Sequence, residues 1–422
     1  DIRNVYYNGQ NLRPTDETRM EAGRDIAFLP TAYHNDKNIF LGVEHGGPGS
    51  LFVQAGNSIE LGSSRGIQSV ANFYNPVLAK KGSDLIVVAG YSAEFDKGKV
   101  ERFFDGLREA GVEYSTLLAQ GEVERAEQRV EEARRDLIGP LLGGARAGIG
   151  EGQVNMLGSQ INGAGEDSRI LLLAKGDVNV GRTVSSGEGK KNSGIYTAAG
   201  GAIDIFSGGD LNVNESRVMT FRGGNITAWA DYGNINAGRG SKTAISTEEP
   251  KAELDEDGEI VGVTFEPPAV GSGIRTLTYD PDGIEGPRVA PAPGDVYLFA
   301  PRGEIDAGEA GISGSRVVLG ATEVVNAQNI QFSQGSVGVP SGSEGAASLG
   351  ALAGAGSLTE TSKMGEEATL GSAKERFQDG GAELADALQP RWIDVQVVDF
   401  LEPSTGPTPQ EDEQKYKKDG QG

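Results

Sequence analysis

Five carboxylates, Asp204, Asp210, Asp295, Glu304 and Asp306, stand where alternating strands should turn polar side chains outward. A polysaccharide-cleaving β-helix carries such acids on one outward face, and needs two carboxyl groups at a defined separation to work on a glycosidic bond. The alternation itself, however, demands an outward polar residue in every repeat, and acids abound along the whole chain. The repeat therefore accounts for these five without catalysis. His34 and His45 are the only imidazoles, and both read as loop or surface residues rather than general bases. Asp255-Glu256-Asp257-Gly258 and Asp280-Pro281-Asp282-Gly283 gather hard oxygen ligands that suit calcium. Neither follows the spacing of a calcium loop, and Asp-Gly and Pro-Asp are turn signals, so solvated turns are expected. Gly238-Arg239-Gly240-Ser241-Lys242-Thr243 approaches a phosphate-cradling loop, but Ser241 stands where that motif needs Gly, and no helix-forming run follows. The expectation is a chain without catalytic residues, metal or cofactor.

The elements that carry these residues recur in doublets. Gly201-Ala202-Ile203-Asp204-Ile205 precedes Gly209-Asp210-Leu211-Asn212-Val213, and Gly224-Asn225-Ile226-Thr227-Ala228 precedes Gly233-Asn234-Ile235-Asn236-Ala237. Apolar residues alternate with polar ones in each, so one face can be buried while the other meets water. The two members start eight or nine residues apart and the next doublet follows after 23, about the chain needed for one coil of two or three short strands. Leu51 with Ile59, Ile170 with Val178, and Val296 with Ile305 keep the same step. Glycine, with 64 copies, often stands just before an alternation, where a corner is expected to need unusual φ values.

Two departures interrupt the coils. Residues 97–142 are rich in Glu, Arg, Ala and Leu, and Val123, Ala126, Val130, Ala133 and Leu137 fall on one helical stripe. Two or three helices are expected there, lying against the solenoid or projecting from it. Residues 241–293 hold Asp257-Gly258 between β-prone pieces, which predicts a hairpin. Beyond Pro340 the composition collapses to Gly, Ser and Ala, and then a helix-prone piece leads to a strongly alternating strand. Its apolar residues Trp392, Ile393, Val395, Val397, Val398 and Phe400 could add to a neighbouring subunit.

The fold expected is thus mainly β, a right-handed parallel β-helix (β-solenoid) with an α-helical insert and a loop or hairpin insert. Its parts are residues 1–95 as the first β-helix part, 96–148 as the helical insert, and 149–339 as the second β-helix part with inserts near 182–200 and 241–293. A flexible linker with a short helix (340–390), a terminal strand (391–402) and a disordered tail (403–422) follow. A net charge of −23 disfavours nucleic acid and anionic membrane surfaces as partners. No apolar run approaches the roughly 20 residues needed to span a bilayer. Cysteine is absent from the sequence, which excludes disulfides and suits export to an oxidising space. Asp1-Ile2-Arg3-Asn4-Val5 lacks the basic and then apolar order of a secretion signal, as in a processed product or a piece of something larger.

Phe206-Ser207-Gly208-Gly209-Asp210, Ser216-Arg217-Val218, residues 238–244, Gly271-Ser272-Gly273-Ile274 and Pro293-Gly294-Asp295-Val296 resemble the C-terminal region of filamentous haemagglutinin-family exoproteins. The likeness extends over residues 200–339, and also to Glu21-Ala22-Gly23-Arg24-Asp25-Ile26 and the Gly49 doublet. The resemblance implies a protein of the extracellular space or bacterial cell surface, secreted through an outer-membrane partner, and acting as adhesin or fibre. The amino-terminal secretion domain of such proteins is not evident. Copies of itself, or the rest of a longer exoprotein, are the expected partners along the rod, with host or neighbouring-cell glycans or proteins as adhesion targets. A carbohydrate-binding or polysaccharide-cleaving β-helix is the alternative.

Overall fold

A computed structural model describes residues 1–28, 33–34, 39–72, 77–78, 80–143, 150–181, 194–239, 251–254, 260–264, 272–278 and 291–340. The chain divides into two units, Asp1–Gly365 and Glu366–Gly422, of which the second lies wholly outside the described residues. So do the strand anticipated at Trp392, the linker, the tail, both acidic turns and Gly240 to Thr243.

In the first unit the coils form a parallel β-solenoid with three strands per turn. Each strand pairs with its counterpart one coil away, which builds three parallel ladders. The inward column of the first ladder runs Ile2, Ile26, Ile59, Val154, Val178, Leu211, Ile235, Ile305, Val324. That of the second runs Tyr7, Val43, Ile67, Ile161, Ile195, Val218, Ile274, Ile312, Ile330. The third runs Thr18, Leu51, Leu85, Ile170, Ile203, Ile226, Val296, Val317. Like residues stack on like, mostly β-branched or Leu, so every coil offers the next a matching apolar rim. From Ile26 to Ile330 these columns pack into one continuous core inside the coils.

The doublets are the strands of the third and first ladders. The second-ladder strands, such as Gly194–Ala199 and Arg217–Thr220, lie between doublets. Two antiparallel pairs leave the ladders: Tyr33–His34 with Ile39–Phe40, and Lys251–Leu254 with Ile260–Thr264, the hairpin that Asp257-Gly258 predicts.

Corners are held by a repeated staple. Asp177 Oδ1 accepts from the backbone N–H of Asp210 at 2.9 Å, Asp210 Oδ1 from that of Asn234 at 2.8 Å, and Asn234 Oδ1 from that of Glu304 at 2.9 Å. At the corner before the third ladder, Asp84, Asn225 and Asp295 bind the N–H groups of Arg169, Asp295 and Arg316 in the same way. The corner glycines have two reasons: Gly224, just before the staple Asn225, has the unusual dihedral expected, with φ at +86°, whereas others are required by stacking. Gly201 and Gly294 do not have positive φ. A Cβ on either would come within 1.8 Å of a carbonyl oxygen one coil below, that of Ser168 or Gly224. Close stacking of coils, rather than an unusual dihedral, excludes a side chain there.

The helical insert leaves after the third-ladder strand Asp84–Ala89 and returns at Val154–Met156. Helix α1 (Lys97–Ala119) starts at the N-cap Asp96, whose carboxylate accepts from Lys99 N–H. At 1.5 Å per residue its 23 residues span about 34 Å, long enough to lie along about seven coils at 4.8 Å each. Val100, Phe103, Phe104, Leu107, Gly111 and Tyr114 form its buried face. They pack on Phe52, Ile86, Leu171, Leu173, Phe206, Trp229, Phe299 and Val318, the outward residues of the third ladder. That ladder is therefore apolar on both faces, as in sheets covered by helices. Helix α2 (Val123–Ala133) runs back, with Ala126, Val130 and Ala133 buried, while Val123, placed on the same stripe by sequence, is 51% exposed.

Candidate functional site

Four of the five outward carboxylates, those of Asp204, Asp210, Asp295 and Asp306, are engaged in holding the fold. Asp204 points out of the third ladder but is fully buried, because α1 covers it. Arg169 Nη2 meets its Oδ2 at 2.9 Å and Arg108 approaches Oδ1 at 3.9 Å. Burial raises the Asp204 carboxyl above its ordinary value, against the pull of Arg169. With Lys97 on Asp84, and Glu101 on Arg169 at 3.5 Å, it belongs to a row of charges that seats α1 on the sheet. Asp210 and Asp295 are corner staples. Asp306 accepts from Gly308 N–H at 2.7 Å and from Asn326 at 2.6 Å. Glu304 gives its backbone N–H to the Asn234 staple.

The first ladder turns a polar column outward: Glu60, Asn155, Asn179, Asn212, Asn236 and Asp306 lie in register. Asn155 donates to Glu60 at 2.6 Å, Asn179 to Asn155 at 2.8 Å and Asn212 to Asn179 at 3.1 Å, a side-chain ladder that reinforces the backbone one.

His45 is not the surface residue that its sequence context suggests. It sits in the strand Gly42–Gly46 with no solvent exposure, two places beyond the inward Val43 and therefore on the inner face. Its ring stacks with that of Tyr7 at 6.1 Å between centroids, and Nδ1 faces the Tyr7 hydroxyl at 3.4 Å. Burial pushes its pKa down to about 4. The side chain of His34 is outside the described residues.

A concave site lies at the seam where the helical insert meets the third ladder and its corner. A cleft of about 290 Å³ is lined by Tyr91, Glu131, Arg134, Arg135, Ile138, Leu142, Lys175, Phe206, Gly208, Asp231 and Tyr232. A π-helical turn, Arg134–Ile138, continues α2 and forms its upper wall. The widening lies just before Pro140, which has no N–H for the carbonyl of Asp136 and whose ring would crowd it. Arg134 grips Asp231 with Nε and Nη2 at 3.1 and 2.7 Å and lies 4.1 Å over the Tyr232 ring. Arg302 lies 4.8 Å from that ring and meets Glu131 at 2.6 Å. Burial, with Asp231 nearby, raises the Tyr91 phenol, so it remains a donor. Its two acids, Asp231 and Glu131, are each held by an arginine.

Local sequence patterns predict the helices but not this cleft, because its residues come from five separated stretches. The nearest signal was the aromatic or large apolar outward position in Leu171-Leu172-Leu173 and Ile205-Phe206, which marks a covered sheet and hence a seam. Among the described residues, no group of three or more His, Asp or Glu is placed to hold a metal. No described helix is long and apolar enough to cross a membrane.

Residues 223–341 match the model of a family described as filamentous haemagglutinin family outer membrane protein. No curated protein and no solved structure matches the chain significantly. The matched span holds the last coils of the solenoid, from the strand Ile226–Ala230 to Ile330–Val337, together with the hairpin insert.

Proposed function

We propose, from the family match over residues 223–341 on a stacked parallel solenoid, that this chain is a rigid, non-enzymatic part of a secreted cell-surface exoprotein, working as adhesin or fibre subunit. The match is the observation that carries the reading. The use of outward polar residues supports it: Asp177, Asp210, Asn234 and the Asn155 to Asn212 column hold coil to coil, as a stiff solenoid requires. An outer-membrane secretion partner and surface glycans or proteins of other cells are the partners this role needs. Removing residues 97–340 from the exoprotein of the producing cell should lower attachment to host or neighbouring cells, and antibody against the chain should label the cell exterior. Unchanged attachment, or label confined to the cell interior, would refute the role.

Axial growth is the finer part of the proposal. Among the described residues, the first coil, Ile2–Arg3, Tyr6–Gln10 and Glu17–Ala22, pairs only with the coil after it. Its other edge suits addition of another coil, from a second copy or from the remainder of a longer chain. Electron microscopy of the purified chain should show particles joined end to end; isolated particles at high concentration would count against stacking of copies.

A further inference from the structure

Charges around the cleft beside the π-helical turn are matched one to one, with a single exception. Arg134 is held by Asp231, Arg302 by Glu131 and Arg135 by Asp136 at 2.7 Å. Lys175 lines the same cleft, yet its ammonium has no carboxylate or hydrogen-bond partner among the described residues. In a chain of net charge −23, the cleft thus carries one uncompensated positive charge. Its stem starts from a crowded corner. A Cβ on Gly90 or Gly152 would lie 2.5 or 2.7 Å from the Lys175 Cβ, so these glycines leave room for its stem at the corner. Beside these charges the lining includes the largely buried apolar side chains of Phe206, Ile138 and Leu142 and the Tyr91 and Tyr232 rings.

We propose that this cleft binds a small organic monoanion with an apolar, ring-sized body, whose carboxylate is met by Lys175 and whose body rests on Phe206, Ile138 and Leu142. The volume is at the small end for ligand sites, which suits a single ring rather than a chain of sugars. A second negative charge would find no free cation and would face Asp231 and Glu131. A neutral body would leave the Lys175 charge without a partner in the cleft. A cation would meet Lys175 and Arg134 directly. A monoanion with an apolar body matches both the lone ammonium and the apolar part of the lining.

The proposal goes beyond the role as a surface rod, and neither depends on the other. Its test uses the 422-residue chain, titrated with phenylacetate, phenylacetamide and glucuronate and followed by saturation-transfer NMR. Saturable binding of phenylacetate is expected. The amide, and phenylacetate against Lys175→Met, should bind roughly tenfold or more weakly, the loss expected when one charge-assisted contact is removed. Lys175→Met keeps the stem and should leave the far-ultraviolet circular dichroism unchanged. The proposal is overturned if phenylacetate does not saturate, if the amide binds as well, if glucuronate binds at least as tightly, or if a folded Lys175→Met chain retains full affinity. Should that variant misfold, the comparison of acid with amide on the native chain still decides.

Discussion

Gly111 on α1 lies directly against Phe299 on the third ladder, so close that a Cβ at position 111 would stand 2.4 Å from carbons of the Phe299 ring. The two residues are far apart in sequence, and between them lie several coils and the hairpin insert. Their approach shows what the helical insert does for the rod: it leaves the coils early and clamps onto coils made much later. Nearby, a Cβ on Gly320 would lie 2.6 Å from Ser115 Oγ, a second such approach.

Gly111→Ala is therefore expected to destabilise. Alanine is favoured over glycine inside a helix by up to about 1 kcal/mol. Here that gain is outweighed by overpacking against a fully buried ring, which costs about 1–3 kcal/mol. The urea midpoint should fall, and the loss should grow with Gly111→Val. An unchanged or higher midpoint for both would mean that α1 can lift from the sheet at little cost.

Asp204→Ala should cost more, because it strands Arg169 beside a buried gap and removes the acid that Arg108 approaches. Breaking a buried pair from one side costs about 3–5 kcal/mol. Arg169 is 26% exposed and keeps Glu101, so the lower end of that range applies. Thermal unfolding of the variant against the native chain measures it, and a loss of only a few tenths would show that α1 is seated by its apolar face alone.

How much of this was legible in the sequence depends on the distance over which each feature is defined. The inward columns were legible, because Ile203 with Ile205, or Val296 with Leu298, alternate within one strand and repeat at a fixed step. The third strand of each coil was harder, since Gly194–Ala199 and Arg217–Thr220 mix Tyr, Met and Arg into the outward positions. Those positions are buried at Tyr196 and Met219, so polarity did not alternate cleanly. Asp204 looked like a surface acid for the same reason: nothing local records that a helix from residues 97–119 will cover it. A dihedral reason for a corner glycine, as at Gly224 with its positive φ, is local, but the cause at Gly294 is the Gly224 oxygen one coil away, and no single-strand reading contains that atom. The cleft joins residues from Tyr91 to Tyr232 and was invisible to local patterns.

His45 sets a pH dependence. Its folded pKa of about 4 lies below the ordinary 6.5, so between those values the unfolded chain takes up a proton that the folded chain refuses. The stability it contributes is complete above pH 6.5 and is lost as pH falls toward 4, by up to about 3 kcal/mol. Replacing it with an uncharged residue, His45→Gln, should flatten this part of the profile. Urea midpoints of both chains at pH 7 and pH 4.5 test the claim, since other acids affect both alike; parallel falls would remove His45 as the cause.

The corner staples give a last prediction, on whether the column acts as separate links or as one unit. Asp210 Oδ1 accepts from the Asn234 N–H, and Asn234 Oδ1 accepts from the Glu304 N–H. Each side chain thus serves the backbone of the following coil, and no bond joins the two side chains directly. Asp210→Asn keeps an acceptor and relieves the charge of a nearby Asp177, so stability should hold or rise slightly. Asp210→Ala removes the acceptor and should cost about 0.5–1.5 kcal/mol, toward the lower end because the corner is open to water. Asn234→Ala should cost about the same, for a different N–H one coil later. If the links are independent, the double variant loses the sum to within about 0.5 kcal/mol. A loss well beyond the sum, measured as urea midpoints of the four chains, would mean that stacking at one corner holds the next coil in register and that the column transmits order along the rod.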